Sequence, residues 1–382
     1  MSMWSNLPFD LLAKIFSFLS PGSLARARSA CRNWETCAKA YPLTPTSSST
    51  QSKPLPPWFL AFPIRNNRPC CYVHNPVMDI WHELSLEFLP VPCAVRPVSP
   101  IGSLLLLRLT NITTLELALC NPFTKQFRSL PRLNISRTNP AVGVVVTILE
   151  SKSNHVGDKF PRFRVYVAGG MSEAEHGGAT YETTLEMYDS QLDTWQIVGS
   201  MPVEFAVRLT VWTPNENVYI NGTLYWITSA RAFSVMGFDI STNTWRELGV
   251  PIAERLEFAS LVRWNGALAL VGGTCGENAC IWELNEVDKW CLADKVPAEL
   301  GLRLLSGKGN WDSVKCVGNE DAICLYRDLG SGMIVCKKVG DKGRWEWLWV
   351  DGCVHIKGKQ MPNCQIRGML IQQPILASSL IF

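Results

Sequence analysis

The sequence predicts a small all-α unit followed by an all-β propeller of six blades, whose ring is closed by a C-terminal strand. Two observations predict this division. Apolar residues in the first forty positions recur with the period of a helix, whereas those after residue 57 alternate as they do in strands. In the second region an aromatic residue also opens the last strand of each successive unit, about every fifty residues.

The first helix is predicted from about residue 8 to residue 19. Pro8 suits a first helical turn, where its missing N–H is not needed. The run from Ser20 to Ser23, which contains Pro21 and Gly22, ends this helix and offers a serine cap for the next one. The apolar residues on one face of the first helix are Leu11, Leu12, Ile15, Phe16 and Leu19.

A second helix is predicted from about residue 24 to residue 34. It places Leu24, Ala27, Cys31 and Trp34 on one side. Two helices of this size cannot bury both apolar stripes against each other, and units below about 40 residues are rarely stable alone. We therefore expect a partner protein to complete the surface, although a helical hairpin that caps the next domain is the alternative.

The order of residues in this segment resembles an F-box. Leu7 and Pro8, then Pro21, then a closing run from Cys31 to Trp34 match the family pattern, while Ala30 stands where the family often has a larger aliphatic residue. The resemblance implies docking on a Skp1-like adaptor and, through it, on a cullin–RING core. The residues expected to form the adaptor face, or the core that supports it, are Leu7, Pro8, Leu11, Leu12, Ile15, Phe16, Leu19, Leu24, Cys31 and Trp34.

Length and composition fit a two-part chain. Its 382 residues suit one small and one large unit, and we predict an F-box at 1–43, a linker rich in Pro, Ser and Thr at 44–56, and a propeller at 57–382. The 36 basic and 33 acidic residues leave a net charge of +3, which is no basic footprint for nucleic acid. The apolar runs are shorter than the roughly 20 residues that span a membrane, so no membrane partner is expected.

The cysteines indicate a reducing compartment. All 14 are scattered without a Cys-x-x-Cys pair, and several alternate within strand-like runs, as at Cys316, Cys324 and Cys336. They are expected to be small buried apolar residues. The first residues lack a basic region followed by an apolar core. The sequence therefore predicts an intracellular protein, in the cytoplasm, the nucleus or both.

The repeated unit after residue 57 resembles a kelch-type propeller blade. Gly169–Gly170 and Gly272–Gly273 end apolar strands about twenty residues before a tryptophan, as kelch glycine pairs do. The match is clear in the third to fifth units and weaker in the others. We expect each closing aromatic residue to wedge between adjacent blades. These residues are Trp81, Phe127, Trp195, Trp245, Trp290 and Trp345.

The first unit, at about 58–86, shows only three strands, and little helical signal appears anywhere after residue 58. The strand-like run 366–371 near the C-terminus belongs to no unit of its own. We therefore predict that it supplies the missing strand of the first blade, so that the ring has no open edge.

A search for chemistry gives no catalytic residue, no metal site and no cofactor. A copper oxidase on a kelch-like propeller would need converging imidazoles with an oxygen ligand. The chain has no close histidine pair, and it lacks the motifs of serine hydrolases, phosphate-binding loops and zinc proteases. A copper oxidase is therefore the least favoured class. The five histidines are His74, His82, His155, His176 and His355.

A binding surface is predicted on one face of the propeller, where the connections between second and third strands and between successive blades lie together. Arginine and aromatic residues on these connections are the types favoured at interface hot spots. As a set they suggest an acidic or phosphorylated target segment, and the alternative is that they are ordinary solvated loop residues. The candidates are Arg208, Arg231, Phe233, Arg255, Arg303 and Trp311.

Together the two parts resemble the F-box/kelch-repeat proteins that are common in plants. The resemblance implies a non-catalytic subunit of an SCF-type ubiquitin ligase (Skp1–cullin–F-box), whose F-box binds a Skp1-like adaptor and whose propeller captures an unknown target protein. Separate subunits would transfer ubiquitin. Two alternatives stay open: a propeller that binds a sugar or another small ligand, and an adaptor role without ligase activity.

Overall fold

A computed structural model describes most of residues 57–372 and a set of positions in the N-terminal segment. The gaps in the first range are 65–67, 77–78, 91–94, 103, 111–112, 148–161, 211–216, 230–231, 308, 340–342, 354, 357–358 and 361–363. The described N-terminal positions are Leu7, Pro8, Leu11, Leu12, Ile15, Phe16, Ala27, Trp34, Thr36 and Cys37.

The described strands form a propeller of six four-stranded antiparallel sheets, as the sequence predicts. Blade one combines β1 (Trp58–Pro63), β2 (Cys70–Asn75) and β3 (Ile80–Ser85) with the last strand of the chain. Blade two consists of β4 (Val95–Ile101), β5 (Leu104–Leu109), β6 (Glu116–Asn121) and β7 (Gln126–Ser129). Blade three consists of β8 (Ala141–Thr147), β9 (Arg162–Ala168), β12 (Thr184–Asp189) and β13 (Thr194–Ser200), with the hairpin β10 (Met171–Glu173) and β11 (Ala179–Tyr181) inserted.

The other three blades follow the chain without insertions. Blade four consists of β14 (Asn217–Ile220), β15 (Thr223–Thr228), β16 (Ser234–Asp239) and β17 (Thr244–Gly249). Blade five consists of β18 (Leu256–Trp264), β19 (Ala267–Thr274), β20 (Cys280–Leu284) and β21 (Trp290–Lys295). Blade six consists of β22 (Lys315–Gly318), β23 (Ala322–Tyr326), β24 (Met333–Val339) and β25 (Arg344–Val350), and a small hairpin of β26 (His355–Ile356) and β27 (Lys359–Gln360) follows it.

The last strand, β28 (Ile366–Gln372), closes the ring. It pairs antiparallel with β1, with Gln372 opposite Trp58 and Ile366 opposite Pro63. β28 is thereby the innermost strand of blade one and lies beside β4 and β22, the innermost strands of the two neighbouring blades. The prediction that the C-terminal run completes blade one is confirmed.

Among the described residues, the hydrophobic core of the propeller is divided into six clusters, one between each pair of adjacent blades. In strand β1, successive side chains point to opposite faces of the sheet, and the two sets pack against different neighbouring blades. Trp58, Leu60 and Phe62 pack toward blade two, whereas Phe59 and Ala61 pack toward blade six. Each sheet therefore buries both faces, and only a closed ring provides a neighbour for every face.

The closing tryptophans join each blade to the one before it. The indole Nε1 of Trp81 donates to the carbonyl of Asp351 at 3.0 Å, immediately after the last strand of blade six. Trp195 donates likewise to Pro131 at 2.8 Å, and Trp290 to Gly249 at 2.7 Å. These acceptors lie at the ends of blades two and four, so the predicted wedge role is confirmed for these three tryptophans.

Two short helices in the connections between blades contradict the expectation of little helix after residue 58. α1 (Val203–Leu209) joins blades three and four, and α2 (Ala298–Leu305) joins blades five and six. Each follows a proline and has a glutamate in its first turn and an arginine in its last, which suits the helix dipole. At seven and eight residues, both are too short for a helical period to stand out among strands.

Cys316, Cys324 and Cys336 are buried thiols outside any disulfide, as predicted, whereas Cys275 and Cys291 are exposed, contrary to the expectation that the cysteines are buried. Within the described residues, no helix has the length and apolar character needed to cross a membrane.

Candidate functional site

The N-terminal segment contains a small helical core. The backbone N–H of Leu12 donates to the carbonyl of Pro8 at 3.0 Å, as in a first helical turn. Leu12 and Phe16 are buried and pack with Ala27 and Cys37. The ring of Phe16 also meets that of Trp34 edge to face, with centroids 5.5 Å apart. These side chains hold the helical segments together.

A different part of the same helix is exposed and apolar. Leu11 and Ile15 have 47% and 37% of their surface exposed, and they lie four residues apart on one helical face. Pro8 is exposed beside them in sequence. The structure thus divides the predicted adaptor set into an exposed part, Pro8, Leu11 and Ile15, and a supporting part. The remaining predicted residues Leu19, Leu24 and Cys31 lie outside the described residues.

On the propeller, each described arginine of the predicted target-binding set forms an ion pair with a neighbouring segment. Arg208 on α1 pairs with Glu247, and Arg255 pairs with Glu277 at 2.7 Å. Arg303 on α2 pairs with Asp351 at 3.0 Å and lies over the ring of Trp349, 4.1 Å from its centroid. Such surface pairs contribute about 0–1 kcal/mol each, and each carboxylate offsets the positive charge that was expected to attract an acidic target.

The two aromatic residues of that set are wholly or partly buried. Trp311 is only 1% exposed, and its indole Nε1 donates to the carbonyl of Glu277 at 2.9 Å. Its ring lies so close to Gly273 that a Cβ there would be 2.5 Å from Cγ of the indole. Phe233 is half-buried against the core between blades four and five. Trp311 therefore fills the interior and presents no binding surface, contrary to expectation, and Arg231 lies outside the described residues.

A buried ion pair organises the connection between blades two and three. The guanidinium of Arg137 lies 2.6 Å from the carboxylate of Glu186, and both side chains are fully buried. Arg137 also donates to the carbonyl of Thr184 at 2.9 Å, while Glu186 accepts from the backbone N–H of Asn134 at 2.8 Å. Burial lowers the pKa of Arg137, and the charge of Glu186 opposes this shift. The pair fixes the course of the loop.

We expect Arg137→Met to lower the free energy of unfolding by about 3–5 kcal/mol, because it leaves the Glu186 carboxylate buried without its cation. Chemical denaturation measures the loss. The matched double variant Arg137→Met/Glu186→Gln should recover most of it, since the amide oxygen still accepts from Asn134. Equal instability of the single and double variants would contradict the assigned role.

A third set of charged residues lines a cavity of about 190 Å³ on the same face of the propeller. Arg96 and Arg108 are direct partners across β4 and β5, and Arg367 lies near the start of the neighbouring inner strand β28. Arg108 donates to the carbonyl of Pro140 at 2.7 Å, and Arg367 donates to that of Ile64 at 3.2 Å. The described lining residues include no Asp or Glu: Arg96, Arg108, Leu109, Thr110, Thr113, Thr114, Leu115, Asn139 and Arg367.

Sequence reasoning missed this arginine cavity because its three arginines lie in strands rather than in loops. One signal was present: Arg108 interrupts the apolar run 104–109, and Arg367 interrupts 366–371. A charged side chain in an otherwise apolar, buried strand is unfavourable unless a neighbouring group forms a hydrogen bond or an ion pair with it. Only the pairing of β4 with β5, and the packing of β28 beside β4, show that the neighbours are other arginines.

The histidines that a copper site would need do not converge among the residues that the structure describes, and no cluster of His, Cys, Asp or Glu there could hold a metal ion. His74 is buried on β2, with its Nε2 2.9 Å from a carboxylate oxygen of Asp79. Burial lowers the pKa of His74 in spite of that carboxylate. Its contact is thus an ordinary hydrogen bond at a blade edge. His155 lies outside the described residues.

Comparison with known proteins gives two family matches and several plant relatives. Residues 4–41 match the F-box-like family, and residues 74–273 match the F-box associated beta propeller domain. F-box only protein 6 of Arabidopsis thaliana is 24% identical over 367 residues, which cover 94% of this chain and 72% of that protein. UNUSUAL FLORAL ORGANS of the same plant is 23% identical over 374 residues (92% and 79%), and one of its F-box/kelch-repeat proteins is 24% identical over 373 residues (94% and 84%).

Proposed function

Since this chain belongs to the family of F-box proteins with an associated β-propeller, we propose that it is the substrate-recognition subunit of an SCF-type ubiquitin ligase. The observation that carries the proposal is the exposed apolar pair Leu11 and Ile15 above the buried Leu12 and Phe16. An exposed apolar face on a helix is typical of a surface that a partner covers. The partner proposed here is a Skp1-like adaptor that links the chain to a cullin–RING core.

The propeller is proposed to bind the target protein through the face that carries α1 and α2. Its connections come from all six blades, so several loops can contact one bound segment. The ring beneath is a rigid scaffold, because every blade packs on two neighbours. This arrangement suits recognition of an extended partner.

The proposed contribution of the chain to ubiquitin transfer is to hold the target in place. A separate subunit would carry the activated ubiquitin, and this chain would raise the concentration of target lysine residues near it. Tethering of this kind changes the effective concentration of the reactants without any catalytic group on the tether.

Co-expression with a Skp1-like adaptor and a cullin tests the proposal. We expect the full chain to co-purify with both proteins at equal stoichiometry, and the double variant Leu7→Ala/Pro8→Ala to lose both while its propeller still unfolds cooperatively. Recovery of the adaptor without the cullin would contradict the ligase role, and recovery of neither would contradict the adaptor-binding role.

A further inference from the structure

The arginine cavity places the positive charges of three arginine side chains close to one another. Arg96 and Arg108 face each other directly across antiparallel strands, a placement in which like charges are destabilising. All three arginines are half-buried, so water screens their mutual repulsion less than it would on an open surface. Among the described residues, no carboxylate lies within ion-pair distance of Arg108 or Arg367, in contrast to Arg208, Arg255 and Arg303.

The protonation behaviour of these side chains agrees with the geometry. Burial and, as the smaller cause, the charge of Arg96 together lower the pKa of Arg108 to about 10. Burial and the charge of Arg367 likewise lower the pKa of Arg96. All three still carry their charge at neutral pH, but in an environment that disfavours it. An anion placed between them would be stabilised by the same low polarity.

The rest of the lining is suited to an oxyanion. Thr110, Thr113 and Thr114 bring hydroxyl groups, Asn139 brings an amide, and all lie beside the guanidinium groups. Hydroxyl, amide and guanidinium groups all donate hydrogen bonds. The described lining thus combines positive charge with several donors.

We propose that the arginine cavity binds a phosphate monoester group, presented either by a phosphorylated side chain of a protein or by a small phosphate ester. Three positive charges match a group of about −1.5 to −2 better than a single carboxylate. Guanidinium groups bind phosphate oxygens in pairs, and threonine hydroxyls can take the remaining oxygen. The cavity opens on the face assigned to target binding, because Arg96 and Arg367 stand near the starts of inner strands.

This inference goes beyond the proposed ligase role and does not need it. Phosphate binding can be measured on the full chain in complex with its adaptor or on the chain alone. A chain that binds phosphate but no adaptor, or the reverse, tells the two proposals apart.

The test measures thermal unfolding of the full chain in sodium phosphate against sodium chloride at equal ionic strength. We expect the midpoint to rise with phosphate concentration, as it does when a ligand binds only the folded state. Arg108→Gln should weaken phosphate binding about 10-fold or more. The matched control is Arg132→Gln, which removes a 91% exposed arginine on the same face and outside the cavity lining. It should bind like the parent chain.

If Arg108→Gln does not fold, Thr113→Val gives a second measurement, because Thr113 is exposed at the cavity mouth. We expect it to weaken binding about threefold or more. No stabilisation of the parent chain by phosphate would overturn the proposal. So would an equal effect of acetate, or equal losses in Arg108→Gln and Arg132→Gln.

The source of the phosphate is distinguished by comparing O-phospho-L-serine with a pool of phosphoserine peptides that have random flanking residues. Tighter binding of the peptides by about 10-fold or more indicates a phosphorylated protein, since the flanks then contact the loops of the same face. Equal affinity indicates a small ester. In both cases Arg108→Gln must weaken the binding.

Discussion

Replacing Leu11 and Ile15 together with aspartate is expected to abolish capture of a Skp1-like adaptor while the chain stays folded. Both side chains are exposed in the free chain, so the introduced carboxylates would be solvated and would not disturb the hydrophobic core. In the complex the same positions would be desolvated, and an unpaired buried charge is strongly unfavourable. With about 2 kcal/mol or more lost at each of the two hot-spot positions, binding should weaken by about 700-fold or more. A biosensor titration with the purified adaptor measures this loss of affinity.

The exposed residue Leu302 offers a matched control for this prediction. It lies on α2 of the propeller and is 63% exposed, so Leu302→Asp adds a charge to a helix of the other unit. We expect adaptor affinity to be unchanged in that variant. A Leu12→Asp variant should instead lose the helical unit itself, because Leu12 is fully buried. Undiminished adaptor binding by the double variant at Leu11 and Ile15 would disprove the docking face.

The fold could be predicted where local pattern and global architecture agree. The strand pattern of 58–63 is apolar on both sides, which indicates a strand between two packed neighbours before any contact is known. The missing fourth strand of blade one and the unassigned run 366–371 then complete each other. Since the first blade would otherwise have three strands and an unpaired edge, which is unfavourable, the unassigned strand is expected to pair there and close the ring.

The candidate site could be predicted only in part, because its chemistry depends on contacts between distant segments. Arginine residues in loops look available in the sequence, yet Arg208 and Arg303 meet carboxylates about forty to fifty positions away. Trp311 looks like a loop aromatic, but the space above Gly273 admits its ring. The arginine cavity depends on the register of β4 against β5 and on β28 arriving beside them. None of these neighbours is specified by sequence spacing.

The division of the F-box residues shows the same limit at smaller scale. A helical period places Leu11, Leu12, Ile15 and Phe16 on one broad face. Which edge of that face is buried depends on the direction from which Ala27, Trp34 and Cys37 approach. The structure assigns Leu12 and Phe16 to the core and leaves Leu11 and Ile15 exposed, and this is the distinction on which the first prediction depends.

A chain that ends after residue 365 is expected not to form a stable propeller. It lacks β28, so β1 has an unpaired edge at the centre of the ring, and two inter-blade clusters lose buried side chains. Burying a large aliphatic side chain is worth about 1.5–3 kcal/mol. The loss of Ile366, Met369, Leu370 and Ile371 is therefore comparable with the whole stability of a domain, about 5–15 kcal/mol.

A chain that ends after residue 372 is the matched control, because it keeps every pair between β28 and β1, from Ile366 opposite Pro63 to Gln372 opposite Trp58. We expect this control to unfold in one cooperative transition. The shorter chain should be insoluble, or soluble with high binding of a hydrophobic dye and no transition. A shorter chain that unfolded like the control would show that three strands suffice for blade one. The closing strand would then be dispensable to the ring, and the central edge of β1 would be open to pair with another chain.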